Sequence, residues 1–193
     1  DHKIFEKIVI KDTEFSNRVV VSPMCQYSAK DGLMNDWHFQ HLSQFGFSGA
    51  GLVMIESTAV ENIGRITHNC IGIYDDDCLS SIKNIMEKVK AISLNKVKFG
   101  IQLGHAGRKA STQRPWEGRS YLRHNQNPWK TIAPSAIPFD KDWPIPQEMN
   151  EDDLQRVKTA FIDATRRSVK AGFDLIEIHA AHGYLLHQFI SPL

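Results

Sequence analysis

The 193-residue sequence predicts an α/β fold of parallel strands joined by helical crossovers. Three observations predict it. Four short apolar runs alternate with segments of helical periodicity, the arrangement that gives parallel strands and crossovers. The runs are nearly continuous in their apolar character, as expected of strands covered on both faces. Polar and reactive side chains follow each run, most densely in His179-Ala180-Ala181-His182-Gly183-Tyr184. Parallel α/β barrels build active sites at such strand ends.

The elements follow in order. Ile8-Val9-Ile10 and Thr13-Glu14-Phe15 flank Lys11-Asp12 and read as a short hairpin. Val19-Val20-Val21 is a β-branched strand stopped by Ser22-Pro23, because proline cannot continue a ladder. Residues 37–47 carry Phe39, Leu42 and Phe45 at helical spacing, with Gly46 and Gly49 at the end. Leu52-Val53-Met54-Ile55 is the second strand. Asp75, Asp76 and Asp77 put negative charge at a helix start, and Leu79, Ile82, Met86, Val89 and Ile92 form its apolar stripe. Phe99-Gly100-Ile101-Gln102-Leu103 is the third strand. The stretch 107–149, rich in proline and tryptophan, reads as one long functional loop or lid. Asn150 caps a further helix whose stripe is Leu154, Val157, Phe161 and Ala164, and Gly172 ends it. Leu175-Ile176-Glu177-Ile178 is the fourth strand, and a last helix begins at Tyr184.

Composition bounds the function. The length suits one domain, residues 1–193, with a sizeable core. Lysine and arginine total 23 against 22 acidic residues, so no basic surface calls for nucleic acid. No apolar run approaches the roughly 18 residues of a membrane span. The N-terminus lacks the apolar core of a signal peptide. Three cysteines without a CxxC pattern favour reduced thiols and a cytoplasmic setting.

The strand ends carry the chemistry. The first offers Ser22, Pro23, Met24, Cys25, Gln26 and Tyr27; the second Glu56, Ser57, Thr58 and Ala59; the third Gln102, then His105, Arg108 and Lys109; the fourth His179, His182 and Tyr184. Each has a bland reading: a thiol as a small buried hydrophobe, a glutamine satisfying backbone, a histidine pair capping a helix. Convergence on one rim outweighs them. No carboxylate pair, Gly-x-Ser-x-Gly elbow, phosphate loop or GxGxxG is present. An amide, a thiol, two imidazoles and a phenol suit a planar ring ligand with nitrogens and carbonyls.

Four motifs sharpen this: Ser22-Pro23-Met24-Cys25-Gln26-Tyr27; residues 100–109, GIQLGHAGRK; Ala133-Pro134-Ser135-Ala136-Ile137; and residues 176–186, IEIHAAHGYLL. In this order the chain resembles the old yellow enzyme family, in its bacterial branch of NADPH dehydrogenases and xenobiotic reductases. The resemblance implies a TIM (β/α)8 barrel, of which about four βα units and an N-terminal hairpin stand here. It implies FMN at the rim, lined by Ser22, Pro23, Met24, Cys25, Ala59 and Gln102. NADPH or NADH would be the reductant, and an enone, quinone or nitro compound the electrophilic substrate, in a ping-pong hydride transfer. His179 and His182 would hold the substrate oxygen, Tyr27 would close over it, and Tyr184 would donate the proton. A homo-oligomer and a further half-barrel, from the same or another chain, are also implied. A complete barrel needs about 250 residues.

Two other readings compete. His105, His179 and His182 make a three-imidazole set of the kind that holds catalytic zinc in a TIM-barrel hydrolase. A half-barrel without catalysis would serve as an assembly module.

Overall fold

The computed structural model describes residues 2–94 and 96–192. A hairpin of β1 (Ile8–Ile10) and β2 (Thr13–Phe15) opens the chain, with Lys11 in the left-handed region at its turn. Then come β3 (Val20–Val21), α1 (Asp36–Gly46), β4 (Leu52–Ala59), α2 (Asp76–Ile92) and β5 (Lys98–Gly104). Short 3-10 turns and a two-stranded ladder, β6 (Ile132–Ala133) with β7 (Gln147–Glu148), occupy the stretch before α3 (Glu151–Lys170). The chain continues through β8 (Leu175–Ile178) and α4 (Leu185–Ile190).

The central sheet is parallel throughout, in the order β3-β4-β5-β8. Each new strand adds beside the last, the open form of a barrel wall. Its two faces differ. Val53, Ile55, Phe99, Ile101 and Leu103 pack with Leu42, Ile82, Met86, Val89 and Ala164 from the helices. Leu52, Met54 and Leu175, on the opposite face, pack on Phe15 and Ile8 of the hairpin. The hairpin therefore plugs the inner face at the strands' N-terminal half, leaving the C-terminal half for chemistry.

Local signals explain most boundaries. Asn35 caps α1 through a reciprocal capping box with His38, one residue before the start read from the apolar spacing. Asp75 caps α2 by accepting from Cys78 N, and Asn150 caps α3 in a capping box with Asp153. Gly172, at φ +82°, follows α3, where a residue with a Cβ would be strained. Two expected stripe positions are not buried. Leu154 is 37% exposed, because the stripe of α3 runs through Asp153, Val157, Ala164 and Ser168, one position round. Ile92, the last residue of α2, is 44% exposed beyond the layer that covers Ile85 and Val89.

β4 is twice as long as its apolar run. Glu56, Ser57, Thr58 and Ala59 continue the strand, and a bulge falls between Ile55 and Ser57. Ser57 pairs with Gln102 and Ala59 with Gly104, leaving Glu56 outside the ladder. No helix among the described residues is long and apolar enough to cross a membrane.

Candidate active site

The rim is built from four strand exits, those of β3, β4, β5 and β8. After β8, the chain turns sharply through His182 and Gly183, both at positive φ, and the turn closes with Tyr184 N donating to Ala181 O at 3.1 Å. Two successive left-handed residues are the signature of a tight primed turn. Glycine takes such a conformation freely and histidine less so. The turn is pinned: Lys109 Nζ donates to the His182 carbonyl at 2.7 Å. The same ammonium lies 4.8 Å from the centre of the Tyr184 ring and 4.9 Å from that of Phe139.

The turn stacks three aromatic groups. The His179 and Tyr184 rings meet edge to face with centroids 5.1 Å apart, as do His179 and His182. Ala181 N donates to His179 Nδ1 at 3.2 Å, which places the His179 proton on Nε2. That Nε2 lies 3.3 Å from His182 Nδ1. His179 therefore donates to His182, whose own proton sits on Nε2 and remains free. Burial, then the adjoining His182, lower the His179 pKa, so the ring is neutral near pH 7.

Tyr27 sits at φ +50° in the segment after β3. It meets Trp116 edge to face at 5.8 Å. Tyr27 and Tyr184 line one cavity of about 540 Å³ together with Ile66, Lys109, Phe139 and Trp143. Residues 107–149 thus contribute to its lining through Pro115, Phe139 and Trp143, while Trp129 turns away and donates Nε1–H to Ile63 O. Burial, then Cys25 and Cys70, push the Tyr184 phenol up to about 12. It keeps its proton at every physiological pH. Burial likewise raises Tyr27, and it raises the Cys25 thiol well above its usual range.

Ser22 and Met24 are exposed, whereas Pro23 and Cys25 are partly covered. Ala59 is 4% exposed, and its backbone is used on both sides: Ala59 N donates to Ile71 O and Ile73 N to Ala59 O. Only its apolar surface is left for a ligand. Gln102 Nε2 donates to Glu177 Oε1 at 2.6 Å, so the amide stands on the inner face beside β8. Between them Gly104 leaves a cradle: a Cβ there would come 2.9 Å from Ser57 Oγ.

His105 leaves the group. Its Nδ1 accepts from Gly107 N at 3.1 Å and its Nε2 donates to Glu61 Oε2 at 3.0 Å. Arg156 of α3 donates to the other Glu61 oxygen at 2.8 Å. His105 is thus a brace between the β5 exit and α3, with no exposed side-chain surface. The three-imidazole zinc set is not assembled, and no three His, Cys, Asp or Glu side chains among the described residues are grouped to hold a metal. Glu61 has no local signal in the sequence, because it lies beyond the strand end in a loop that only folding brings to His105. The Lys109 brace is likewise visible only in the fold.

The model of the NADH:flavin oxidoreductase / NADH oxidase family matches residues 3–193. An NADH:flavin oxidoreductase of Gibberella zeae is 44% identical over 99% of the chain and 46% of its own length. An NADPH dehydrogenase of Listeria monocytogenes is 41% identical over 99% of the chain and 52% of its own. The chain spans about half the length of these curated relatives. The crystal structure of Old Yellow Enzyme from Pichia sp. AKU4542 superposes on the whole chain and 49% of its own, with a TM-score of 0.83 and 27% identity. Morphinone reductase shares the fold at a TM-score of 0.80 and 22% identity. The fold is thus half of a TIM barrel of the old yellow enzyme type, the family implies FMN and NAD(P)H as cofactors, and the chain belongs to the NADH:flavin oxidoreductase / NADH oxidase family.

Proposed function

We propose that the complete protein is an FMN-dependent NAD(P)H oxidoreductase that reduces activated alkenes such as enones, quinones or nitro compounds. The observation that carries this is the meeting of Tyr27, Tyr184 and the His179–His182 pair on one rim. The residues fit the flavin. Gln102 supplies amide hydrogen bonds for ring nitrogens and carbonyls, the Gly104 cradle admits a planar edge, and Ser22, Pro23, Met24, Cys25 and Ala59 would border it. When bound, FMN supplies two-electron redox chemistry between NAD(P)H and the alkene.

The chain's residues then do four things. His182 offers its free Nε2–H to the carbonyl or nitro oxygen of the substrate. His179 gives a second N–H once its bond to His182 is exchanged for that oxygen. Two N–H donors on one oxygen stabilise the enolate-like charge that develops there. Tyr184 holds a proton for the carbon next to the activating group, and Tyr27 closes the cavity from the opposite side. The three cysteines are unpaired, in keeping with a reducing, cytoplasmic setting.

The test uses the full-length protein. It should purify yellow, sustain NADPH or NADH oxidation without oxygen only when an enone or quinone is present, and show parallel-line ping-pong kinetics. A colourless protein without NAD(P)H oxidation sinks the proposal.

A further inference from the structure

A buried ionisable pair lies behind the rim, and none of the chemistry above uses it. Glu56, the residue displaced from the ladder by the β4 bulge, and His38 of α1 have side chains only 3% and 1% exposed. His38 Nε2 lies 3.5 Å from Glu56 Oε1, short of an aligned hydrogen bond. His38 Nδ1 accepts from Asn35 N at 3.1 Å in the capping box. That bond leaves the imidazole proton on Nε2, pointed at the carboxylate. The other carboxylate oxygen, Oε2, accepts from Gln26 N at 3.2 Å.

Gln26 separates Cys25 from Tyr27, and Tyr27 stands at φ +50°. A tyrosine in the left-handed region needs contacts that hold it there. The segment has no strand or helix of its own to supply them. It is tied instead by side chains: Trp37 Nε1 donates to Gln26 Oε1 at 3.0 Å, and Asn35 Nδ2 to Ser28 O at 2.7 Å. The Glu56–Gln26 contact ties the segment to the sheet through a side chain, and the Ser57 backbone of the same strand bonds the Cys25 thiol beside it. A bulge that takes one carboxylate out of its pleat and brings it to a neighbouring loop is a recurrent device beside active sites.

We propose that Glu56, oriented by His38, is a positioning residue that fixes the Cys25–Gln26–Tyr27 segment through the Gln26 amide and so sets where Cys25 and Tyr27 stand. The inference rests on the reading that these two residues border the flavin and its substrate. The ionisable groups facing these residues are His38 and His41 from α1, Cys25 and Tyr27 from the segment after β3, Cys70 from the segment after β4, and Tyr184 from the β8 exit.

Glutamine at position 56 is a poorer partner than the carboxylate. Oε1 faces His38 Nε2–H and Oε2 accepts from Gln26 N, so the amide must turn its NH2 toward one of two donors, and its neutral oxygen is the weaker acceptor for Gln26 N–H. The experiment compares full-length wild type with Glu56→Gln, His38→Leu and the double variant. Alkylation of Cys25 is read by peptide mass spectrometry at fixed pH, and kcat and KM are measured separately for an enone. Glu56→Gln should raise both the Cys25 alkylation rate and KM by at least about fivefold, the effect of one buried hydrogen bond, with kcat changed less. The double variant should be no worse than Glu56→Gln, because both act on one contact. Wild-type alkylation and KM in Glu56→Gln would overturn the proposal. So would additive effects of the two substitutions, or a loss of thermal stability with Cys25 reactivity unchanged in the folded fraction. The alkylation arm needs neither flavin nor turnover, so a protein that binds no FMN would fail the functional reading while this arm still judges the anchor.

Discussion

His179 Nε2 and His182 Nδ1 stand 3.3 Å apart, so the two imidazoles form a relay with a direction. Ala181 N fixes the His179 proton on Nε2, and His182 is left with a single outward N–H. His182→Asn in the full-length protein should lower kcat/KM for an enone by about tenfold to a hundredfold, the loss of one charge-stabilising donor. His179→Asn should cost less in kcat/KM, because His182 keeps its donor. Steady-state kinetics on the two variants check the order, and the reverse order counts against the relay.

Acid should weaken the fold through His179. Its pKa is lowered by burial and by His182, with Glu177 opposing and Lys109 adding to the lowering. Below the unfolded value of about 6.5, the unfolded chain takes a proton that the folded ring resists. Stability therefore falls as pH drops from there toward the folded pKa, then levels off. His179→Asn removes this contribution. The melting-temperature gap between wild type and variant should narrow from about pH 8 to about pH 5. A gap independent of pH would rule it out.

Lys109 should matter more than a surface lysine. Its ammonium ties the His182 carbonyl and lies against two aromatic rings. Lys109→Met keeps the stem and loses the charge. The expected cost is about 1–3 kcal/mol, from one charged hydrogen bond and two cation–π contacts. Denaturant titration measures it, and KM should rise as the His182 turn loosens. A cost within error of zero would remove Lys109 from the site's support.

His105→Ala should act on stability and leave colour intact. Burial works to raise the Glu61 carboxyl, but hydrogen bonds from His105 and Arg156 outweigh it and hold the group below its ordinary range. Removing His105 strands one Glu61 oxygen and the Gly107 N–H, for about 2–4 kcal/mol. Loss of FMN at unchanged stability would instead place His105 at the cofactor.

Much of this protein was legible in its sequence. The cap at Asn150 acts within one turn, so neighbouring residues declare it, and Asp75 shows as charge at a helix start; Asn35 lies outside the apolar spacing that marks α1, and its capping box with His38 is visible only in the fold. Apolar runs declare strands, because a strand covered on both faces must be apolar throughout. The rim half of β4 escaped that rule, since Glu56, Ser57 and Thr58 are polar residues within a paired strand. Local periodicity and short spacing carry the parallel α/β class, the order of the reactive strand ends and the His179–Tyr184 cluster. Which imidazoles stay together depends on the folded chain. His105 turns to Glu61, and Lys109 reaches a carbonyl 73 residues away. Those partners are chosen by burial and by the need of every buried donor for an acceptor, which no local pattern encodes.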